Sequence, residues 1–585
     1  MQDKLLQDTL DLCTKTLAAV TTELRIEQTE VPQSASHLIM VNLCMTSEQS
    51  NADPVTLQQQ ITRTLSLRDQ LLEQVSVKNV LPPEVQWAPV GPADYEEKLK
   101  ELEEKTANKQ DANGLRRLIL SALKGVAQIC LAAYDVGYED DGISLFMERL
   151  LLRTLKYNLS VGLLFNLALE VGGNAYRAMN LLDQACQNRY GTARLVNVEL
   201  GVRNHPGILV CGQNIAALEE ILKATENQGV DVYTHDDLYF AHSYPELQKY
   251  DHFAGNYGGA RFRQKEDFAS FHGPIIVTSG GIEAPEESYK DRIYTIAPVF
   301  YPGVPNVTKS DYGKIVEQAK NCAVPEALQQ GEHISGFSRE TLQQMSDNLI
   351  SSMKDGTLSK LLVLVGDDEP DAAYFTDLCK ALPKNAAAIT AGSVKFRTMG
   401  LQLGTLRGMP RVMDAGGIAD LYAVLTAAMK FQEGLGKFDI NGVPLAFFVS
   451  LDSSLSYAAL LAILYVGSKN VYLSKLPEFF TESVFSIFQK NFGLRVITTP
   501  EEDTEALFTV HSVKEGSIDV NMLIIDIIEK YPEAAEILMS CGMSCVTCGS
   551  ALYESLAEAC MVHGLDPEDV KEVLDHELGL VEDDE

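Results

Sequence analysis

The chain has 585 residues, 46% of them hydrophobic and 22% charged, the profile of a globular protein long enough for about three to five domains at roughly 100 to 200 residues each. With 48 basic against 81 acidic residues its net charge is −33, which repels phosphate backbones and anionic lipid and argues against nucleic-acid and membrane partners. No uninterrupted apolar stretch approaches the roughly 18 to 20 residues of a membrane span, and residues 1–15 lack the basic flank and apolar core of a secretory signal; a cytoplasmic protein is the expectation.

Residues 1–110 read as a mostly helical extension, with Leu5, Leu6, Leu10, Leu12 and Leu17 at helix-like spacing. A Pro-rich break at Pro82, Pro83 and Pro92 and a charged run at 96–105, read as a solvated helix, precede a helix bundle over 111–200. From Gly201 short β-rich runs alternate with amphipathic helices, the pattern of open parallel sheets. A first α/β domain, 201–350, is expected to hold strands at Gly207-Ile-Leu-Val-Cys211, Pro274-Ile-Ile-Val-Thr278 and 294–299. A second, 351–508, would hold strands at 360–365, 386–390, 444–449, 470–473 and 494–498, with helices at 457–465 and 482–490. Ligands of such sheets favour the carboxyl ends of strands, so the residues after Val210, Thr278, Val365, Thr390 and Val449 come first. A linker near 509–517 leads to a small helical domain, 518–580. From Ile518 onward there are 17 acidic and 2 basic residues, almost half of the net charge.

The eleven cysteines are unevenly spread. Cys13, Cys44, Cys130, Cys186, Cys211, Cys322 and Cys379 stand alone and read as buried thiols acting as small hydrophobes. Cys541, Cys545, Cys548 and Cys560 cluster, which in a reducing compartment suggests metal binding or reversible redox work. The run Gly255-Asn-Tyr-Gly-Gly259 is glycine-rich without the G-x-G-x-x-G order of a dinucleotide site. His235 and His242 read as structural hydrogen-bonders, and the sole tryptophan, Trp87, as a packing residue.

Several rare strings then occur in one order. They include Ala122-Leu-Lys-Gly125, Arg177-Ala-Met-Asn-Leu-Leu-Asp183, Gly229-Val-Asp-Val-Tyr-Thr-His235, Glu287-Ser-Tyr-Lys-Asp-Arg292, Tyr301-Pro-Gly-Val304 and Tyr465-Val-Gly-Ser-Lys-Asn470. Over about 111–498 the chain resembles the hybrid-cluster proteins, also called prismane proteins or hydroxylamine reductases. The resemblance implies a helical domain followed by two Rossmann-like domains, a hybrid Fe–S–O cluster at their junction, and reduction of hydroxylamine or nitric oxide. The α/β multidomain class agrees with the pattern reading: helical bundle, two open parallel-sheet domains and a small C-terminal helical domain.

Local alignment to that resemblance shows departures at the cluster ligands. Gln213 stands where the family has His, and Asp237 where it has Glu; Gly281, Asp367, Ser393 and Ile418 replace cysteines, and Ser453 and Leu455 replace Glu and Lys. Residues 1–110 hold no counterpart of the family's N-terminal cysteine quartet. Amides, hydroxyls and carboxylates substitute poorly for soft bridging thiolates, so the expectation is that no cofactor is held at the hybrid-cluster site and that the family's route to hydroxylamine reduction is closed. The competing expectation is a hard cation held through Asp237, Asp367, Asp368, His235 and Glu369.

The tail resembles the redox-disulfide domain associated with hybrid-cluster proteins, through Ile528-Glu-Lys-Tyr-Pro-Glu533, Gly542-Met-Ser-Cys-Val-Thr-Cys548 and the run from Ser555 to Leu565. Three short helices are expected, one starting at Ser550 and another capped by Asp566 with Pro567 in its first turn. Cys545 and Cys548 then form a C-x-x-C just before a helix, whose positive end favours thiolate while the acidic surroundings oppose it. A redox dithiol with Cys541 as a third thiol is one reading; an Fe–S or Zn site on Cys541 and the pair, shared between chains, is a second; unreactive thiols are a third. The function expected is a non-catalytic interaction or sensing platform carrying a redox dithiol, served by a protein redox partner with a basic face, with homo-oligomerisation left open. The runner-up is a hydroxylamine or NO reductase-type oxidoreductase with an altered metal centre.

Overall fold

A computed structural model of the chain describes residues 2–367, 373–508, 518–543, 554–578 and 580. Met1–Pro500 form one compact unit and Glu501–Glu585 a second.

Seven helices open the first unit: α1 (Gln2–Ile26), α2 (Gln33–Met45), α3 (Pro54–Leu72), α4 (Pro92–Thr106), α5 (Gln110–Asp135), α6 (Asp141–Thr154) and α7 (Val161–Tyr190). Local chemistry sets their starts. Asp53 accepts from the Val55 and Thr56 amides ahead of Pro54, and Ser160 accepts from Leu163. Helix α1 packs on α2, α3 and α6, so the stretch expected as an extension joins the 111–200 helices in one helical body. A buried ion pair, Lys124 Nζ to Asp11 at 2.8 Å, ties the two stretches together. Helix α5 is long and apolar enough to cross a membrane by length and composition, but 72% of that window is buried, with α2, α7 and a later helix packed on it.

Next in the chain come β1 (Val196–Glu199), β2 (Gly207–Cys211), α8 (Ile215–Thr225), β3 (Asp231–His235), β4 (Phe253–Asn256), α9 (Gln264–Phe271), β5 (Ile275–Val277), β6 (Ile293–Thr295), α10 (Tyr312–Lys320) and β7 (Glu332–Ser335). Strands β2 to β6 form a parallel sheet of order β4-β3-β2-β5-β6, and β1 pairs antiparallel with β7. Then follow α11 (Arg339–Lys354), β8 (Lys360–Gly366), α12 (Ala373–Ala381), β9 (Ala386–Ala391), the short hairpin β10 (Thr405–Leu406) and β11 (Met409–Pro410), β12 (Val412–Asp414), α13 (Leu421–Leu435), β13 (Leu445–Ser450), α14 (Ser454–Tyr465), β14 (Val471–Leu473), α15 (Glu482–Phe492) and β15 (Arg495–Val496). The second sheet is parallel, in the order β12-β9-β8-β13-β14-β15. Its central strands, Lys360-Leu-Leu-Val-Leu-Val-Gly366 and Leu445-Ala-Phe-Phe-Val-Ser450, are apolar runs buried on both faces, as a covered parallel sheet requires.

Helix α14 is buried along its whole length up to Leu464 and lies against both α5 and α7. Glycines allow that approach: a Cβ on Gly125 would lie 2.2 Å from the Ser454 carbonyl oxygen, and one on Gly172 2.1 Å from that of Leu461.

The second unit holds α16 (Pro500–Phe508), which begins on the last residue of the first, then α17 (Ile524–Lys530), α18 (Ala534–Ser540), α19 (Leu556–His563) and α20 (Pro567–Glu577). Its core gathers Ile518, Ile524, Ile527, Leu538, Leu556, Cys560 and Leu574. Ser555, not Ser550, caps the helix containing Cys560, through a reciprocal box with Glu558, while Asp566 caps α20 as expected, accepting from the Glu568 amide at 2.9 Å. Cys545 and Cys548 lie outside the described residues; Cys541 is half-buried and Cys560 buried.

Candidate functional site

Each sheet has a point where the strand order reverses. In the first it lies between β2 and β5, in the second between β8 and β13. Loops at the carboxyl ends of such strand pairs leave in opposite directions and open a crevice for ligands. Gln213 and Ser279 stand at the first point, Asp367 and Ser453 at the second.

A buried charged centre occupies the strand ends. Lys395, 1% exposed, follows β9, and its Nζ lies 3.4 Å from both Asp237 after β3 and Asp414 at the end of β12. It also lies 5.7 Å from the Tyr239 ring centroid. Burial alone would push the Lys395 ammonium towards neutrality, but Asp414, Asp237 and Asp420 outweigh it and hold the pKa above its ordinary value. These ion pairs are loose: Asp237 Oδ1 and Lys395 Nζ are buried without completing a hydrogen bond among the described residues. More carboxyls surround the one ammonium. Asp367 is pushed up to about 7 by burial, against its hydrogen bond from Ser453 and with Asp237 and Asp452 adding. Asp420 is also pushed up to about 7 by burial, against the Gly417 amide and Lys395. Asp236 sits in the left-handed region at φ 66°, a conformation that costs a non-glycine residue roughly 1–2 kcal/mol, as strained residues at ligand sites do.

The other positions singled out in the sequence converge on the same junction. Gln213 donates from Nε2 to Asp237 at 3.2 Å. Ser453 donates to Asp367 and caps α14 by accepting from the Ser456 amide. Ser393, Ile418 and Leu455 are all buried; Ile418 fills the space over Gly392, where a Cβ would lie 2.7 Å from its Cγ1. At Gly281 a Cβ would come within 2.9 Å of Arg261 Cζ, so the guanidinium of the Gly255–Gly259 stretch's successor stands where a side chain would begin. Asp368 and Glu369 lie outside the described residues. Lys395, Asp414, Asp420 and Arg261 were not singled out in the sequence. The signal the sequence carried was the Lys395-Phe-Arg and Asp414-Ala-Gly strings, which flank Ser393 and Ile418.

His235 and His242 are structural. The His235 ring lies between Cys211 Sγ and Asp267, each at 3.2 Å, with all three residues buried. His242 stacks on Phe253 with ring centroids 3.9 Å apart and bonds Thr234 at 3.0 Å. Burial, with Arg203 adding, lowers its pKa to about 3. Its unfolded value is near 6.5, so its contribution to stability is complete above that pH and is lost as pH falls towards 3, at about 1.4 kcal/mol per pH unit. A His242→Gln variant should therefore show a flatter fall in melting temperature between pH 6.5 and 4.5 than the parent chain; parallel acid limbs would contradict the assignment.

Fold and site define an α/β protein of two open parallel sheets, a helical body and a charged centre at the strand ends. The chain belongs to the Prismane/CO dehydrogenase family, whose match spans residues 3–505; a domain of unknown function (DUF1858) matches 518–571. It is similar to the hydroxylamine reductase of Caldanaerobacter subterraneus subsp. tengcongensis, 36% identical over 485 residues that cover 80% of this chain and 88% of that protein. The hydroxylamine reductase of Desulfovibrio desulfuricans is 35% identical over 511 residues, 86% of this chain and 94% of that protein. Among solved structures, a nickel-free carbon monoxide dehydrogenase from Thermococcus sp. AM4 shares the fold at TM-score 0.53 and 15% identity, covering 86% of this chain and 85% of its own. An acetyl-CoA synthase/carbon monoxide dehydrogenase described with NiZn[Fe4S4] and NiNi[Fe4S4] clusters shares it at TM-score 0.53 and 15% identity, covering 90% and 84%.

These relationships correct the expectation that no cofactor belongs at the junction. The chain belongs to the Prismane/CO dehydrogenase family and shares its fold with a protein described with [Fe4S4]-containing clusters, and the identities of eight side chains are too narrow a basis for an absence when other polar groups reach the same place. The narrower finding concerns the kind of group. The donors at the junction are carboxylate, amide, hydroxyl and ammonium, beside apolar Ile418 and Leu455. That set does not match a thiolate-bridged Fe–S–O cluster. Among the described residues no group of three or more His, Cys, Asp or Glu side chains is arranged to hold a metal ion.

Proposed function

We propose that the chain is an oxidoreductase of the hydroxylamine reductase type, working through an altered, charged centre. The observation that carries this reading is Lys395 held between Asp237 and Asp414 at the ends of strands from both sheets, in a chain whose curated relatives match over most of their length. Lys395 is a hydrogen-bond donor without a completed bond, suited to the oxygen of an N–O group; Asp237 Oδ1 is an acceptor in the same condition, suited to its N–H or O–H. Electrons would come from a protein partner, and the acidic 518–585 stretch favours one with a basic face. A second reading, the non-catalytic interaction or sensing platform, is favoured by the apolar Ile418 and Leu455 at two of the family's ligand positions.

Full-length protein purified without oxygen tests both. Hydroxylamine-dependent oxidation of reduced methyl viologen is expected, with iron and acid-labile sulfide measured on the same sample. Asp237→Asn should cut turnover by about tenfold or more with the fold intact, in line with the loss of a carboxylate's charge and proton-accepting ability at the reacting centre. Absence of turnover in the parent chain would leave the platform reading.

A further inference from the structure

The stretch between α2 and α3 ties the N-terminal helices to both sheets. Its first residue is anchored in the helical body: Lys124 Nζ donates to the Thr46 carbonyl oxygen at 2.7 Å and to Asp11 at 2.8 Å, and Thr46 Oγ1 donates to Asp11 at 2.6 Å. From that anchor the chain reaches both switch points. Ser454, at the start of α14, donates to Glu48. The Gln49 side chain hydrogen-bonds Asp367 after β8, and Asn51 Nδ2 donates to the Ile282 carbonyl oxygen after β5 at 3.0 Å. Gly280 and Gly281 make the room for it. A Cβ on Gly281 would lie 3.1 Å from the Gln49 carbonyl oxygen, and one on Gly280 3.8 Å from Gln49 Oε1.

Residues 46–51 leave only a small cleft between themselves and the first switch point, about 90 Å³, with Cys44, Ser47, Gln49, Gln213 and Leu455 among its walls. At about 30 Å³ for a water-sized group it holds on the order of three, far less than the roughly 300–1,000 Å³ of a drug-sized site. Gln213, one of its walls, donates to Asp237 of the charged centre at 3.2 Å. The bond to Asp367 holds the long Gln49 side chain in place, so the wall it forms has a fixed position.

We propose that residues 46–51 form the size filter of the junction site, with Gln49 as its specificity-determining residue: molecules as small as hydroxylamine pass to Gln213, Asp237 and Lys395, and bulky N-substituted relatives do not. The identity of the substrate rests on the hydroxylamine reading; the steric claim does not.

The native thiol of Cys44, which lines the cleft and is 7% exposed, reports on passage without turnover. The full chain is treated with methyl or benzyl methanethiosulfonate. The Cys44 thiolate displaces methanesulfinate and keeps the alkylthio group, and peptide mass mapping reads its rate against glutathione treated alike. After that normalisation the methyl reagent should modify Cys44 at least about tenfold faster than the benzyl reagent, a discrimination within reach of a steric wall. Gln49→Ala should bring the ratio close to one, whereas Gln49→Met, which restores bulk without the amide, should keep most of it; thermal midpoints control for folding. In the turnover assay, Gln49→Ala should lower the preference for hydroxylamine over N-benzylhydroxylamine by about tenfold. A parent ratio near one, no methylthiolation of Cys44, a ratio unmoved by Gln49→Ala, or one lost equally in Gln49→Met would each overturn the filter. The expected ratios in a parent chain without turnover would overturn the hydroxylamine reading alone.

Discussion

Replacing Lys395 by Met is expected to lower the stability of the 1–500 unit by about 3–5 kcal/mol, although Met fills nearly the same volume. The ammonium is 1% exposed and is the cation placed between Asp237 and Asp414, while Asp236, Asp367 and Asp420 add carboxyls that burial already pushes towards protonation. Without it the two paired carboxylates must ionise unaided or take up protons, and either costs free energy in a dry junction. Asp414 keeps its hydrogen bonds from Ser335 and the Gly416 amide, so the larger share of the loss falls on Asp237. The double variant Lys395→Met with Asp237→Asn should then recover about half of it. Trp87, the only tryptophan, lies in the 1–500 unit against Tyr95, so urea unfolding followed by its fluorescence reads that unit alone. A Lys395→Met midpoint equal to the parent's would show that the ion pairs are solvated and contribute nothing.

The sheet strands that are apolar on both faces were legible in the sequence, because a covered parallel strand must be a continuous hydrophobic run: β2, β5, β8, β9, β13 and β14 all fall where such runs lie. Strands β3, β4 and β12 were not assigned. Asp231-Val-Tyr-Thr-His235 and Phe253-Ala-Gly-Asn256 carry polar residues that are buried only because Thr234 bonds Asn256 and His242 and because His235 bonds Asp267, partnerships that no local pattern announces. The site divides in the same way. Gln213, Asp237 and Asp367 were found by local alignment to the family resemblance, and of the three only Gln213 and Asp367 also follow strands that the hydrophobic runs announced. Lys395 and Asp237 follow strands of different sheets far apart in sequence, and only their 3.4 Å contact shows that the charges belong together. Arg261 became visible through Gly281, where the missing side chain and the guanidinium share one volume.

Gly172→Ala and Gly125→Ala are expected to destabilise the same unit by about 3 kcal/mol each, against the direction that helix propensity gives. Alanine in a helix interior is favoured over glycine by roughly 1 kcal/mol, and both glycines lie inside long helices, α7 and α5. The opposing effect is larger because the atoms met by the new methyl are backbone: the Leu461 carbonyl oxygen at 2.1 Å for Gly172 and the Ser454 carbonyl oxygen at 2.2 Å for Gly125. A backbone carbonyl inside a hydrogen-bonded helix cannot rotate aside, so α14 must move as a body, at the cost of the packing on both its flanks. Gly162 supplies the control within α7, since a Cβ there meets nothing within 4 Å; Gly162→Ala should stabilise by about 0.5–1 kcal/mol. The two interior variants differ in a second respect. Gly172 presses on the middle of α14, whereas Gly125 presses on Ser454, next to the Ser453 that bonds Asp367. Gly125→Ala should therefore lower hydroxylamine turnover more than Gly172→Ala at matched stability, and equal losses in the two would place the start of α14 outside the working site.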